Sequence, residues 1–215
     1  METLKTTDKT RLKRGPSRAV FDREMLNRIF DEVRVAHVGF AVEEQSYVIP
    51  MLCWRVGRRL YIHGSNGSRM IKALTEGANA CVTATLVDGM VLAKSAFNHS
   101  TNYRSAVVFG QFRKVEDEAE INESLQLFME QIAPGRWDEV RSPSESELKA
   151  TSILSIELEE ASVKVRSGGP MVLEDDRDLP VWSGEMGLKQ VLTTMVPDEY
   201  TGSATEAPDY RAAWD

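Results

Sequence analysis

Cysteine is scarce in this sequence, and the two that occur do not form a pattern typical of a bound metal. Cys53 and Cys81 lie in separate apolar runs, and the chain has no Cys-x-x-Cys pair and no cluster of cysteine with histidine. Lone thiols in apolar runs are typical of small buried groups in a reducing compartment. We therefore predict no metal site.

Long apolar runs are also missing. No stretch approaches the roughly 20 consecutive apolar residues that a membrane-spanning helix needs. The segment METLKTTDKTRLKRG is charged and has no apolar centre, so we do not expect a signal peptide. These absences predict a cytoplasmic protein with no membrane contact.

The chain has no excess of positive charge. Its 33 acidic and 26 basic residues give a formal net charge of −7. Proteins that bind duplexes usually present a basic face, so we predict no nucleic-acid partner. The basic run from Arg11 to Arg18 has two interpretations, a solvated arm or an intramolecular clasp.

The distribution of polar and apolar segments predicts one main domain. We expect residues 1–19 to form a flexible N-terminal arm, residues 20–194 a single domain, and residues 195–215 an acidic C-terminal tail. Helices are predicted by capping signals. They should begin after Asp22, at Ser68 (closed by Gly77), after Asp117 and after Ser142.

Short runs rich in β-branched and aromatic residues predict about six or seven strands. Asp88–Gly89 is a hairpin signal, so NACVTATLVDGMVLAKSAF is expected to form two strands. The short helices between these runs do not suit a parallel βαβ sheet, which favours an antiparallel barrel with peripheral helices. The other predicted strands are VRVAHVGFAV, QSYVIPMLCWRV, RRLYIHG, SAVVFGQFRKV, TSILSIELEE and ASVKVRS.

One stretch, LYIHGSNGSRMIKAL, combines a strand, a glycine-rich turn and a helix start that carries an arginine. Positive charge at a helix N-terminus is unfavourable unless an anion lies between, and phosphate is the natural anion. Charge-assisted hydrogen bonds of about 1.5–3 kcal/mol each would hold it. Alternatively, Ser65 or Asn66 is only an N-cap and the arginine lies on the surface. The candidate ligand contacts are Gly64, Ser65, Ser68, Arg69 and Lys72.

These residues resemble the phosphate-binding turn of the pyridoxamine 5′-phosphate oxidase-like, FMN-binding split-barrel family, in the branch with the nitroimidazole-resistance flavoproteins. The resemblance spans roughly residues 14–188. It departs where MVLEDD follows SGGP, and where Gly187 replaces a proline in WSGEMGL. The fragments that carry it are HVGFAV, YVIPMLCWRV, LYIHGSNGSRM, CVTATLVDGMVLAKSAFNHSTNYRSAVVFGQFRKVED, PGRW, ELKAT, SVKVRSGGP and LPVWSG.

The resemblance implies a mainly β fold, namely a six-stranded antiparallel Greek-key split barrel with peripheral helices. It also implies FMN as cofactor, and a homodimer with two flavin sites at its interface. Ser68 and Arg69 would contact the phosphate, with Lys72 as a weaker candidate. The ring would lie against Ile49, Pro50, Met51 and Leu52.

Further contacts are implied with alternatives. Arg104 and Ser105 match polar flavin contacts, although Arg104 could instead pair with acidic groups. Ser95 is a weaker candidate. Trp182 would contact the flavin from the partner subunit, or serve as core filler.

His63 is the predicted catalytic residue, since a histidine in the matching place of the resembling branch is a proposed active-site group. Imidazole titrates near neutral pH and can relay a proton. The alternative is a buried histidine bonded to a carbonyl. His99 could also face the pocket, and we interpret His37 as structural.

The resemblance implies an FMN-dependent oxidoreductase that uses an electron donor and acts on a small aromatic or heterocyclic molecule. Pyridoxamine phosphate oxidation itself is disfavoured, because its C-terminal arginine and histidine motif is absent from VPDEYTGSATEAPDYRAAWD. One alternative is a haem or F420 ligand on the same barrel, with His63 or His99 as an axial haem ligand. Another is a non-catalytic flavin sensor or store.

Overall fold

Two antiparallel sheets form the centre of the protein in the computed structural model, which describes residues 2–202, 205–211 and 214. The strands are β1 (Ala19–Val20), β2 (Val35–Val42), β3 (Gln45–Leu52), β4 (Trp54–Val56), β5 (Arg59–Ser65), β6 (Asn79–Leu92), β7 (Ser100–Gln111), β8 (Arg113–Lys114), β9 (Thr151–Glu157), β10 (Ala161–Arg166) and β11 (Gly184–Gly187). The helices are α1 (Arg23–Glu32), α2 (Arg69–Thr75), α3 (Glu118–Ile132), α4 (Arg136–Glu139) and α5 (Glu145–Ala150).

The larger sheet has the order β1-β10-β7-β6-β2-β3, with β11 added to β6, and the smaller has the order β4-β5-β9-β8. The chain passes from one sheet to the other at Cys53, between β3 and β4, and at Phe112, between β7 and β8. The split-barrel class is therefore confirmed. The two sheets do not join into one closed ring of hydrogen bonds.

The main core lies between the sheets, and strand alternation decides which side chains enter it. A smaller cluster lies on the other face of the small sheet, where α3 covers Trp54, Tyr61, Val115 and Ile153. Strands β5 and β9 therefore have an apolar neighbour on both faces. The main core includes Leu26, Phe30, Val38, Leu60, Ile62, Leu74, Val82, Val108, Leu154 and Ile156.

Two capping predictions are confirmed and one start is shifted. The side chain of Asp22 accepts from the Glu24 N–H before α1, and that of Asp117 accepts from the Glu120 N–H before α3. The cap of α5 is Ser144 rather than Ser142. Its capping box depends on Glu147, three residues further on, which supplies the reciprocal bond.

The hairpin predicted at Asp88–Gly89 is wrong. Strand β6 runs through this pair and stays paired with β7, with a register shift between Val87 and Gly89. Asp88 is thus the extra residue of a bulge, a feature that also favours glycine nearby. A Cβ at position 89 would lie 2.7 Å from the Met186 carbonyl oxygen, so glycine permits the close approach of β11.

The predicted domain boundaries stay a prediction, but the first residues contact the barrel. Leu4 is buried, and its N–H donates to the Phe21 carbonyl at 2.7 Å. Glu2 forms an ion pair with Arg58 at 2.6 Å, and Lys9 forms one with Glu160 at 3.1 Å. Five residues of the predicted tail (203, 204, 212, 213 and 215) lie outside the described residues.

Across the part of the chain that the structure describes, every helix is too short or too polar to span a bilayer.

Candidate functional site

The turn from β5 to α2 presents polar groups that are not used for capping. The Gly67 N–H donates to the Ser65 hydroxyl at 3.3 Å, and the Ser68 N–H donates to the Ser65 carbonyl at 2.9 Å. Ser68 is the N-cap of α2, but its hydroxyl makes no capping bond. Because α2 has only seven residues, its dipole is weak, and any anion here would depend mainly on side chains.

Gly64 has a packing role in this turn. A Cβ on Gly64 would lie 3.0 Å from the side chain of Ile71, so its absence lets α2 approach β5 closely. The glycine therefore fixes the position of the helix start relative to the strand.

Arg69 is the exposed cation at this turn. Its guanidinium carbon lies 5.0 Å from the ring centroid of Tyr47 in β3, and the Tyr47 ring stacks on Phe40. Among the described residues, neither Arg69 nor Lys72 forms an ion pair with a carboxylate. Both keep donors free for an external anion.

The residues predicted to line the flavin ring divide between two faces of β3. Ile49 and Met51 pack against the core, whereas Pro50 and Leu52 are exposed on the outer face. Strand β3 ends the sheet order, so Pro50 lies on an edge strand, where the missing N–H of proline is tolerated. Side-chain contact with a ligand on the outer face is thus open to Pro50 and Leu52.

Arg104 and Ser105 also point to opposite faces, because they are consecutive in β7. The Arg104 guanidinium donates to Asp88 at 2.6 Å and to Glu32 at 2.7 Å. These bonds raise the pKa of Arg104, with Glu32 the larger cause. The Ser105 hydroxyl faces the Lys164 carbonyl at 3.4 Å. The acidic pairing weighed for Arg104 is the arrangement in the structure.

Ser95 and Trp182 lie far from the phosphate turn of the same protomer. Strand β6 has 14 residues, and at roughly 3.3 Å per residue it spans about 45 Å. Ala80, at one end, pairs with Phe40 near Tyr47, whereas Leu92, at the other end, pairs with Gly184. The far ends of β6 and β7, the turn between them (93–99), and β11 with the two residues before it form an arm, which carries Ser95 and Trp182.

His63 faces the α3 side of the small sheet. Its ring centroid lies 5.8 Å from that of Trp54 and 5.9 Å from that of Phe128. Its Nδ1 is buried without a hydrogen-bond partner among the described residues, so the carbonyl-bonded alternative is not the arrangement seen. Burial lowers the pKa of His63, which favours the neutral imidazole at neutral pH. The other two histidines lie elsewhere: His99 Nδ1 is 3.0 Å from the Ser95 carbonyl on the arm, and His37 is exposed on β2.

A cavity of about 530 Å³ opens beside His63. One wall is formed by α3 and the small sheet, and the other by α5 and Pro143, which lies two residues before its start. Six of its thirteen lining residues are apolar, and the other seven are polar or charged. The lining residues are His63, Asn66, Lys114, Val115, Glu116, Ile121, Leu125, Pro143, Glu147, Leu148, Lys149, Thr151 and Ile153.

This cavity was missed by sequence reasoning, because its walls come from β5, β8, α3, α5 and β9, which are far apart in the chain. The sequence indicates only a capping role for Asn66, yet its side chain bonds to Lys149 and Ser152. A separate polar cleft of about 800 Å³ surrounds Arg104. Within the described ranges, no group of three or more metal-binding side chains is found.

The model of the family described as pyridoxamine 5′-phosphate oxidase matches residues 22–165. The chain belongs to the pyridoxamine 5′-phosphate oxidase family. This confirms the resemblance drawn from the turn and the strand fragments. A search of curated proteins found no significant match.

Two solved structures resemble almost the whole of this family member. The flavocytochrome Anf3 from Azotobacter vinelandii is 34% identical, with 97% of each chain covered and a TM-score of 0.89. An FAD and heme binding protein from Mycobacterium smegmatis is 33% identical over 89% of this chain and 94% of its own, with a TM-score of 0.84. A Bacteroides thetaiotaomicron protein described as a 5-nitroimidazole antibiotic resistance protein is 22% identical over 68% of this chain and 86% of its own. Its TM-score is 0.58, and the likeness is one of fold alone.

The lowered pKa of His63 predicts a pH dependence of stability. The unfolded chain takes up a proton on this histidine at higher pH than the folded protein does. The free energy of unfolding should therefore fall as pH drops below about 6.5. Above that pH, His63 should not make the free energy of unfolding depend on pH. In His63→Gln this part of the fall should disappear. Urea unfolding at pH 7.5 and 5.5 measures it.

His99→Gln removes an exposed histidine and is the matched control. It should lose as much stability between the two pH values as the parent protein does. Equal losses in the parent and in His63→Gln would contradict the assignment of His63 as a desolvated imidazole.

Proposed function

We propose that this protein binds the FMN moiety of a flavin at the β5–α2 turn and acts as a flavin-dependent oxidoreductase on a small aromatic or heterocyclic molecule. Family membership over residues 22–165 supports the cofactor class. The observation that carries the location is Arg69, an exposed cation without an acidic partner among the described residues, beside an unused Ser68 hydroxyl.

The residues of the turn would divide the binding of the phosphate. Arg69 supplies charge and paired donors, Ser68 supplies a hydroxyl, and Lys72 stands one helical turn further on. Tyr47, which Arg69 contacts, lies on the other face of β3 from Pro50 and Leu52. Because β3 is an edge strand, the flavin would pass around this edge to bring its ring into apolar contact with Pro50 and Leu52. When bound, the isoalloxazine supplies the redox chemistry, and the protein holds and orients it.

The identity of the flavin is a separate question. FMN is the flavin expected from the sequence, whereas the Mycobacterium smegmatis relative is named for FAD. Both molecules carry a phosphoryl group next to the ribityl chain, so the same donors would serve either. We propose FMN, and the mass of the released cofactor distinguishes the two.

Substitution of the turn should remove the flavin. In Ser68→Ala/Arg69→Ala, loss of two charge-assisted bonds of about 1.5 kcal/mol or more each should weaken affinity about a hundredfold. Mass spectrometry of the small molecule released by denaturation should find FMN from the parent and much less from the variant.

A matched control is Arg136→Ala/Ser146→Ala, which removes an exposed arginine and an exposed serine away from the turn. It should retain the parent's flavin content. Full flavin content in Ser68→Ala/Arg69→Ala would contradict the proposed location.

We further propose a homodimer in which the arm of each protomer covers the flavin of the other. Trp182 is 64% exposed and Phe97 is 95% exposed, and both lie on the arm. Such exposure argues against core filler for Trp182. Within one protomer the arm is too far from Arg69 to share a ligand with it, so contact from Ser95 or Trp182 would come from the partner.

Contact in trans can be tested by mixing protomers. Trp182→Ala should lower flavin content, because the ring loses a large apolar contact. Co-expression with differently tagged Ser68→Ala/Arg69→Ala protomers should give heterodimers with one intact site. Isolated heterodimers should therefore hold about half the parent's flavin, and more than either parental variant.

Flavin content in the heterodimer that stays at the level of the two variants would contradict the trans arrangement. A single species at monomer mass in light scattering would also contradict it.

A second candidate function, flavocytochrome activity, is favoured by the cavity beside His63. The ring nitrogen of His63 has no partner among the described residues, and the lowered pKa keeps imidazole in the neutral form that binds iron. Two relatives are named as a flavocytochrome and as an FAD and heme binding protein. The groups present fit a haem, which would supply one-electron chemistry when bound.

This fit changes the role proposed for His63. The imidazole of His63 lies on the α3 side of the small sheet, whereas the proposed flavin ring lies on the outer face of β3. Proton relay would require the imidazole to reach the flavin across this separation. We therefore propose iron ligation as its role and keep proton relay as the alternative.

Hemin titration tests the haem assignment. The parent should develop a Soret band shifted from that of free hemin, and His63→Ala should bind hemin at least about tenfold more weakly. His99→Ala, which alters the arm, should bind as the parent does. Equal affinity in His63→Ala and the parent would contradict ligation by His63.

A further inference from the structure

Asn66 belongs to both candidate sites at once. It lies in the turn between β5 and α2, two residues before Ser68, and it also lines the cavity beside His63. Of the thirteen residues that line the cavity, Asn66 is the one that belongs to this turn.

Three hydrogen bonds fix Asn66 to the junction of α5 and β9. Its backbone N–H donates to the Ala150 carbonyl at 3.1 Å, and its side-chain N–H donates to the Lys149 carbonyl at 2.7 Å. Its side-chain oxygen accepts from the hydroxyl of Ser152 at 2.6 Å, and Ser152 is buried. This set of bonds is the Asn66 clamp.

The elements held by the Asn66 clamp form a wall of the cavity. Leu148 and Lys149 of α5 and Thr151 of β9 line it. The residues that bond to Asn66 are Lys149 itself and its neighbours Ala150 and Ser152. A ligand that packs against this wall would restrict α5. Through the clamp it would also restrict the turn that presents Ser68 and Arg69.

We propose that Asn66 is a positioning residue that couples occupancy of the His63 cavity to flavin affinity. The inference rests on the proposed flavin and haem sites, and it adds that they are not independent. A filled cavity holds the turn in place before the flavin arrives, so flavin binding costs less ordering. By linkage, each ligand must change the affinity of the other by the same factor.

The test measures the FMN dissociation constant by equilibrium dialysis, with and without saturating hemin. For the parent, hemin should tighten FMN binding by about fivefold or more, which is the lower range of measured couplings. FMN should tighten hemin binding, followed at the Soret band, by the same factor. Asn66→Ala removes both side-chain bonds of the clamp and Ser152→Ala removes one of them. The factor should therefore fall in both variants, and closer to one in Asn66→Ala.

Two variants keep the test decisive. Asn66 is exposed, and Ser152→Ala changes the size of the side chain very little. At least one of the two variants should therefore fold normally. Ser146→Ala, an exposed serine on α5, is the matched control and should keep the parent's factor.

The outcomes separate the proposals. If the parent binds no FMN, the proposed flavin site fails. If it binds FMN but no hemin, or both ligands with a factor of one, the coupling is overturned and the flavin site stands. A factor retained in both Asn66→Ala and Ser152→Ala would show coupling that does not pass through Asn66.

Discussion

The alternation of side chains along each strand is the constraint on which the rest of this structure depends. Leu154 and Ile156 enter the core between the sheets, whereas Ile153 points to α3. The same period sends Arg104 and Ser105 to opposite faces of β7. Neighbours in sequence are therefore not neighbours in a site, and each candidate contact must be assigned to a face before it is assigned a role.

Charge pairing distinguishes Arg69 from Arg104 as the candidate ligand of the phosphate. Arg104 donates to two partly exposed carboxylates, and removing it from them for a ligand would break the ion pairs with both Glu32 and Asp88. Arg69 contacts an aromatic ring and an open turn, and forms no ion pair with a carboxylate among the described residues. An arriving phosphate therefore displaces little at Arg69 and much at Arg104, which is why the turn, rather than the larger cleft, is the proposed anion site.

The sequence predicted correctly those features, such as helix caps, that depend on residues close together in the chain. The caps at Asp22 and Asp117 and the end of α2 near Gly77 were all predicted from the sequence. The hairpin at Asp88–Gly89 was predicted wrongly, because Gly89 is needed for the close approach of β11, a strand that is distant in the sequence. The cavity beside His63 and the Asn66 clamp could not be predicted, since each joins segments more than 80 residues apart in sequence, such as Asn66 and Ser152.

The proposed function depends most on where the flavin phosphate lies, and a crystal structure of the protein grown with excess FMN tests this directly. We expect the phosphate within hydrogen-bond distance of the Arg69 guanidinium and the Ser68 hydroxyl, with Arg104 still bound to Glu32 and Asp88. A phosphate in the cleft at Arg104, with the turn at Ser68 free of ligand, would contradict the account.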